Sequence, residues 1–444
     1  MEKKQIKIAA FLASLFLCVL LLGWWLLPRM VAALPTDIRG RLPENMMRLA
    51  ITPLPTALPL PANPVVFDSG LPMLAVLPTQ TKTPLPTTAV TTPQSDTVSE
   101  DNSPTSTPQP TPTLTPSPTP LPQRTILTGL TNEPQKYNNC GPANLSILFN
   151  YYNQDFDQLE IAKAVKPHYE DRNVSPYELV DYVNENSGLK AAVYRGGDLD
   201  LLKRLLIVGF PVIIEKGYEP SEWQGWMGHY LTIYGYDDVE QFFWSMDSFL
   251  GPWEDEGRPY SYSDIKKYWS QFNNTFILLY EPEDEAVVTA VLGSTHTDPQ
   301  TMWQNALTQT QNQLAADPEN AFAWANLSLN LLELADYNPD ESLNTQAASA
   351  LDQARLAGLP PRMLWYQPEL YAVYLSNGRY DDVLTLTNSI LENPSGQHVE
   401  ETFFYRGEAL RALGELDQAA YAYQRALELK PHYPAALAAQ NNLH

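Results

Sequence analysis

The pattern of hydrophobic and polar positions divides the chain into four regions. Residues 8–27 form an uninterrupted apolar run, whereas residues 52–123 show no periodicity. Between Arg124 and about Tyr280, short helical patterns alternate with β-branched and aromatic runs. Beyond Asp298 the pattern is helical and rich in alanine and leucine. These patterns predict a transmembrane helix, a linker, an α+β domain and an all-α region, in that order.

The apolar run near the start of the chain is long enough to cross a bilayer. Residues 8–27 contain no charged side chain, and a helix rising about 1.5 Å per residue spans roughly 30 Å over this length. The apolar core of a cleavable signal peptide is shorter, usually about 7–15 residues. We therefore predict an uncleaved membrane anchor. A cleaved signal is the alternative, because Val31–Ala33 has the small residues of a cleavage site.

Residues 52–123 have the composition of a disordered Pro/Thr/Ser-rich stalk. They hold eighteen of the 39 prolines, mixed with threonine and serine, as in TPTLTPSPTPLP. Such a segment buries too little apolar surface to fold, and at about 3.1 Å per residue it reaches roughly 200 Å when fully extended. A stalk of this kind suits domains that are held away from a membrane. We therefore expect a single-pass cell-membrane protein with extracytoplasmic C-terminal domains.

Residues 125–285 combine helix signals with strand signals. Ser175 is a typical N-cap, Pro176 stands in the first turn and Gly188 ends that pattern, while a second helix runs from Asp198 to Gly209. Runs of β-branched and aromatic residues predict strands at FPVIIEKG, HYLTIYGY, QFFWSMDSF and NTFILLYEP.

Residues 299–440 show a helical pattern that repeats. In the last unit, ETFFYRGEALRALGELDQAAYAYQRALELKP, Gly407, Ala419 and the final proline have the spacing of a tetratricopeptide repeat. Gly378 and Gly414 stand at equivalent positions of two units. The region resembles an array of about three tetratricopeptide repeats, and this resemblance implies a protein partner. The identity of that partner does not follow, because the apolar stripes also serve helix packing.

Composition excludes some classes of function. The net charge of −23 argues against nucleic-acid binding, which needs basic patches. Of the two cysteines, Cys18 lies in the apolar run and Cys140 in the α+β domain, so an internal disulfide framework is not expected. The sequence contains neither paired CxxC motifs nor HExxH, and its six histidines are scattered. We therefore expect no metal and no cofactor.

Cys140 stands where a helix begins. Proline two residues later is favoured in a first helical turn, and Leu145, Leu148, Phe149 and Tyr152 then follow at the spacing of one buried helical face. A thiol at a helix N-terminus meets free N–H groups and the positive end of the helix dipole, which lower its pKa. Cys140 is therefore a candidate nucleophile.

A thiolate nucleophile needs a base, and this domain contains two histidines. His168 lies in the polar run VKPHYEDRN, which is typical of a surface loop. His229 opens one predicted strand and Asp247 ends the next. An antiparallel hairpin centred near Asp238 places His229 and Asp247 directly opposite each other, so that the carboxylate can orient the imidazole. Asp247 also needs a partner, since burying a carboxylate alone is costly.

The side-chain amide of Gln135, in the loop before the helix, can donate to a developing oxyanion together with the Cys140 backbone N–H. The order of Gln135, Cys140, His229 and Asp247 in QKYNNCGPA, GHYLTIYGYDD and MDSF resembles the papain-like cysteine peptidases, and more closely peptidase family 39 and its C39-like relatives. The resemblance covers about residues 125–283. It implies Cys140 as nucleophile, His229 as general base and acid, Asp247 as its orienting group and Gln135 in the oxyanion hole.

The resemblance implies a peptide or protein substrate and amide hydrolysis through a thioester. The sequence lacks the Walker A loop and transporter membrane domain of the leader-cutting members, so leader processing coupled to export is not implied. Two alternatives stay open. The thioester can pass its acyl group to an amine or thiol, or the domain is an inactive binding module on a repeat scaffold.

Overall fold

The computed structural model describes residues 22–23, 26–27, 30–31, 56–64, 121–219, 224–252, 257–338 and 341–443. Most of the predicted transmembrane segment and most of the predicted stalk lie outside these residues. Among the described helices, none combines the length and the apolar character needed to cross a membrane. Residues 56–64 and those from 122 onward belong to one compact unit.

A seven-stranded sheet forms the framework of the α+β domain. Its strands are β1 Arg124–Ile126, β2 Lys190–Tyr194, β3 Val212–Tyr218, β4 Met227–Asp237, β5 Phe242–Met246, β6 Arg258–Ser261 and β7 Phe276–Tyr280. The order is β2-β7-β3-β4-β5-β6, with β1 also paired to β4, and all pairs are antiparallel. The four strands predicted from the sequence correspond to β3, β4, β5 and β7.

Six helices cover the two faces of the sheet. They are α1 Cys140–Tyr151, α2 Gln158–Val165, α3 Pro176–Asn186, α4 Leu199–Ile207, α5 Tyr262–Trp269 and α6 Glu285–Thr297. Successive strand residues point to opposite faces. Ile213 therefore packs with α1, α2 and α3, whereas Val212 and Ile214 pack with α4, α5 and α6. Helix α6 joins this core through Val288 and Leu292.

The helix starts predicted at Ser175 and Asp198 are both confirmed. Each is signalled by a capping residue that acts on N–H groups two or three positions later. The Ser175 side chain accepts from the backbone N–H of Glu178, and the Glu178 carboxylate accepts from the Ser175 N–H at 2.7 Å, which completes a capping box. The Asp198 side chain accepts from the Leu201 N–H at 2.6 Å and caps α4 in the same way.

The C-terminal region is an array of helices. They are α7 Pro299–Ala316, α8 Ala321–Ala335, α9 Glu341–Leu356, α10 Met363–Tyr366, α11 Glu369–Leu375, α12 Tyr380–Leu391, α13 Glu400–Ala412, α14 Leu416–Leu429 and α15 Pro434–Asn441. Gly378 and Gly414 have φ angles of 66° and 81° and lie in the turns that precede α12 and α14. Their equivalent positions in the sequence therefore reflect equivalent turns, which require a left-handed residue.

The array packs against the α+β domain through aromatic and polar contacts. Trp226, just before β4, lies 5.2 Å from the ring of Phe322 and 5.9 Å from that of Tyr366. Arg362 donates to the carbonyl oxygens of Gln224 and Trp226 at 2.5 and 3.1 Å. The array therefore packs beside the start of the strand that carries His229.

Part of the predicted stalk is docked rather than free. Leu58 is only 3% exposed, and its N–H donates to the Leu359 carbonyl of the array at 2.9 Å. The Pro59 carbonyl accepts from Arg355 Nε at 2.7 Å. Residues 56–64 of the predicted linker 52–123 therefore contact the array. Composition predicts the average behaviour of a segment and misses a short apolar stretch that finds a partner surface.

Candidate active site

Cys140 is the first residue of α1, as the sequence predicts. The helix is held in place by Leu145, Leu148 and Phe149, which are fully buried against the sheet. The preceding residue, Asn139, is the N-cap, and its side chain makes no capping hydrogen bond. The N–H groups of the first turn therefore stay free near the thiol. Cys140 itself is half-buried. The packed face of the helix thus fixes the position of the sulfur.

His229 and Asp247 are in contact, but not through the predicted register. The imidazole Nε2 lies 3.2 Å from Asp247 Oδ1. In the hairpin Asp237 pairs with Phe242, so the turn spans residues 238–241 and is not centred at Asp238, and the last pair before Asp247 is Thr232 with Met246. The prediction of direct opposition is therefore wrong. Asp247 follows the last paired residue of β5, and its side chain reaches back to the imidazole.

Asp247 is fixed by more than the histidine. Its Oδ1 accepts from the backbone N–H groups of Phe249 and Leu250 at 2.8 and 2.9 Å, and its Oδ2 accepts from the hydroxyl of Tyr260. The residue is fully buried. A buried carboxylate that accepts several hydrogen bonds is held in its charged form and in one orientation. It can therefore fix the tautomer and the plane of the His229 ring.

The electrostatics favour a charged pair between the thiol and the imidazole. Burial raises the pKa of Cys140. The hydrogen bond and charge of His229 and the backbone N–H groups of Tyr230 and Gly141 together lower it by more than burial raises it, so the net shift is downward. Burial lowers the pKa of His229, yet hydrogen bonds to Asp247 and Cys140 outweigh it and raise the pKa to about 9. Because Nε2 contacts Asp247, Nδ1 is the ring nitrogen available to the sulfur.

The environment of Asp247 shifts its pKa in the opposite direction. Burial raises the pKa of this carboxyl, but the hydrogen bond and charge of His229, the Tyr260 hydroxyl and the Leu250 N–H lower it well below its usual range. The carboxylate therefore stays ionised at any pH at which the domain functions, and it balances the charge of the imidazolium.

Gln135 is tied to the segment that follows Asp247. Its backbone N–H donates to the Ser248 carbonyl at 2.8 Å, and its side-chain Oε1 accepts from Ser248 Oγ at 2.9 Å. The amide nitrogen of Gln135 is left without a partner among the described residues. An amide whose oxygen is occupied presents its N–H₂ group as a donor. The amide nitrogen is therefore available as a donor, which an oxyanion hole requires.

A buried polar network connects Gln135 to the cysteine. Asn144, one turn after Cys140 and fully buried, points Nδ2 at the Cys140 carbonyl, the Tyr230 carbonyl and Ser248 Oγ, at 2.8, 3.0 and 3.3 Å. Thr232 Oγ1 donates to the amide oxygen of Asn144 at 2.7 Å. The network joins α1, β4 and the Asp247 segment, so it fixes the relative positions of all four predicted site residues.

Sequence reasoning missed Tyr260, Ser248 and Asn144. None of them carries a local signal, because each acts through a contact with a residue distant in the chain. His168, the histidine set aside in the sequence, lies away from the thiol: its ring stacks on His398 of the array at 5.0 Å. The aromatic rings of Tyr218 and Phe249 lie beside His229, at 5.7 and 6.3 Å.

Among the described residues, one group of carboxylates has the spacing of a metal site. Glu178, Glu400 and Glu401 bring their oxygens within 4.8 Å of one another, between α3 and α13. The Lys430 ammonium contacts Glu178 and lies 3.3 Å from Glu400 Oε1. A cation of the chain's own thus already contacts two of the three carboxylates, and the cluster lies between α3 and the array helix α13.

Comparison with known families agrees with this geometry. Residues 120–277 match the model of the Peptidase_C39 like family, and residues 400–433 match that of the tetratricopeptide repeat. The two resemblances predicted from the sequence are confirmed. The chain thus carries a C39-like peptidase domain followed by a helical array that contains a tetratricopeptide repeat. No curated protein matches the chain.

Several solved structures are similar to the peptidase domain. A putative C39-like peptidase from Bacillus anthracis is 15% identical, with 36% of this chain and 98% of that one covered and a TM-score of 0.30. The peptidase domain of Streptococcus ComA, a bifunctional ABC transporter of a quorum-sensing pathway, is 16% identical over 34% and 97%, with a TM-score of 0.27. A double glycine motif protease from an AMS/PCAT transporter, in complex with the leader peptide, is 15% identical over 35% and 96%, at 0.26.

Proposed function

We propose that the protein is a cysteine peptidase that hydrolyses peptide amide bonds through a thioester. The observation that carries this proposal is the position of His229, whose Nε2 lies 3.2 Å from the buried carboxylate of Asp247 and whose charge lowers the pKa of the Cys140 thiol. A histidine that merely stabilised the core would not need a half-buried thiol at a helix N-terminus as its second partner.

In the proposed reaction the Cys140 thiolate attacks the carbonyl carbon of the scissile amide. The carbonyl oxygen becomes an oxyanion, to which the Gln135 amide and the Cys140 backbone N–H donate. Protonated His229 then gives its proton to the leaving nitrogen, the C–N bond breaks, and a thioester and a free amine result. Water attacks the thioester while His229 takes one of its protons, and the acid product leaves with the thiolate restored.

Asp247 does not exchange protons in this scheme. Its low pKa keeps it ionised, and its contacts with Tyr260 and two backbone N–H groups keep it stationary. Its role is to hold the imidazole so that Nδ1 faces the sulfur in both protonation states. The cost of turning the ring is thereby removed from each step.

The place of the enzyme in the cell is part of the proposal. A membrane anchor at residues 8–27, with the peptidase domain on the extracytoplasmic side, is supported by the apolar run and the proline-rich segment that follows it. The array would bring a protein or peptide partner to the peptidase domain. Its contacts with Trp226, just before the strand that carries His229, support this role.

An activity-based probe with a thiol-reactive group tests the proposal. We expect the probe to label Cys140 of the native protein at neutral pH, and a mixture of peptides to compete with it and to be cut. Labelling without cleavage, together with release of an amide when an amine is added, would instead favour the acyltransferase. An unlabelled Cys140 would leave the inactive binding module as the better account.

A further inference from the structure

Residues 56–64 lie on the array as a bound peptide does. Two hydrogen bonds to its backbone hold the segment. The Leu58 N–H donates to the Leu359 carbonyl at 2.9 Å, and the side-chain Nε of Arg355 donates to the Pro59 carbonyl at 2.7 Å. Leu58 and Pro61 are buried, whereas Leu60 between them is 65% exposed. Residues three apart lie on one face of a polyproline II helix. The burial pattern is therefore that of an extended peptide that is bound through a single face.

On the array, the arginine that binds the segment is held in place by hydrogen bonds of its own. Arg355 is fully buried, and its Nη1 donates to Asp382 at 2.7 Å and to the Tyr374 hydroxyl at 3.0 Å. These two partners fix the guanidinium so that Nε points at the peptide carbonyl. A buried arginine is costly unless its hydrogen bonds are satisfied, and the Pro59 carbonyl supplies one of them.

One feature of the sequence distinguishes this stretch from the rest of residues 52–123. Between residues 52 and 123 several leucines precede a proline, but Leu58 alone has a second proline three residues later. A leucine and a proline at this spacing supply the two buried positions seen at Leu58 and Pro61. The contact thus depends on a short motif rather than on proline content.

We propose that the array contains a binding site for extended Leu-x-x-Pro peptides, and that residues 56–64 of the same chain occupy it. The site is formed by Leu359 and by Arg355 with its partners Asp382 and Tyr374. Linkage in one chain gives the segment a high effective concentration, so it excludes a free peptide of the same sequence. A protein partner that uses this surface must carry the motif and displace the segment.

The test uses the full-length protein, a Leu58→Asp variant and the matched control Leu60→Asp, which changes an exposed leucine of the same segment. Hydrogen exchange should be slow at the Leu58 amide in the wild type and in Leu60→Asp, and fast in Leu58→Asp. A fluorescent peptide of sequence LPTALPLPANP should bind Leu58→Asp at least tenfold more tightly than the wild type. The same peptide with aspartate in place of its buried leucine should bind neither.

Two results would overturn the proposal. Fast exchange over residues 56–64 in the wild type would show that the segment is not bound in solution. Equal affinity of the peptide for the wild type and for Leu58→Asp would show that the segment does not occupy the peptide's site. Neither readout depends on peptidase activity, so each result stands whether or not Cys140 is a nucleophile.

Discussion

The imidazole Nε2 of His229 lies 3.2 Å from Oδ1 of Asp247, although the two residues are not opposite each other in the hairpin. Asp247 has already left the ladder of β5 and accepts two backbone N–H groups of the turn that follows. The carboxylate is thus held by its own turn and by Tyr260 of β6, and not by pairing with His229 across the hairpin. Variants that remove the charge of Asp247 or the Tyr260 contact can therefore separate the two contributions.

Asp247→Asn should narrow the pH range of activity. Burial lowers the pKa of His229, but the hydrogen bonds and charges of Asp247 and Cys140 outweigh it and raise the pKa to about 9. Loss of the Asp247 charge should therefore move the alkaline limb of the kcat/KM profile to lower pH. Asparagine keeps the shape of the side chain but not its charge. The imidazolium should lose stabilisation equivalent to about one pKa unit, so we expect turnover at neutral pH to fall by roughly tenfold. A pH–rate profile measures both effects.

Tyr260→Phe is the control for this prediction, because it removes the hydroxyl that contacts Asp247 Oδ2 and leaves the charge in place. Its alkaline limb should shift less than that of Asp247→Asn. An unchanged limb in Asp247→Asn would contradict the assignment of the carboxylate as the group that supports the imidazolium.

His229→Ala should make Cys140 an ordinary buried thiol. Without the hydrogen bond and charge of His229, burial dominates and raises the thiol pKa above its present, lowered value. Alkylation by iodoacetamide at pH 6–7 should therefore slow by more than tenfold, since the thiolate is the reactive form. His168→Ala is the matched control, because its ring lies against His398, and its rate should equal that of the wild type. Equal rates in both variants would show that His229 does not activate the thiol.

Trp226→Ala should destabilise the contact between the peptidase domain and the array. The indole is 7% exposed, lies against Phe272, Phe322 and Tyr366, and donates to Gln271 at 2.7 Å. Loss of a buried tryptophan costs about 3–5 kcal/mol of unfolding free energy. Urea denaturation should show this loss, whereas Tyr421→Ala, at a side chain that is 64% exposed, should change the free energy by less than about 0.5 kcal/mol. A loss of similar size in both variants would contradict the interface.

The sequence predicts features that depend on neighbouring residues and misses those that depend on distant ones. The caps of α3 and α4 and the helix that starts at Cys140 follow from a few adjacent residues, and all three are confirmed. The register of the β4–β5 hairpin differs from the prediction because the turn lies between Asp237 and Phe242 and is not centred at Asp238, and the hydrophobic pattern does not fix the centre of a turn to within one residue. The contact of Tyr260 with Asp247 and the docking of residues 56–64 arise only once the chain has folded.

The last prediction concerns Ser248, which orients a proposed catalytic residue without itself contacting the reacting atoms. Gln135→Ala should reduce kcat by roughly two to three orders of magnitude, the usual effect of losing one oxyanion donor. Ser248→Ala should reduce kcat less, about tenfold, because the Gln135 amide keeps its donor but loses the hydrogen bond at 2.9 Å that occupies its oxygen. In both variants KM and the rate of Cys140 alkylation should stay near the wild-type values, since neither residue sets the thiol pKa. Ser263→Ala, at an exposed serine, should leave all three quantities unchanged. If Ser248→Ala slowed alkylation as much as turnover, its role would be to maintain the fold around Cys140, and the orientation of Gln135 would need another source.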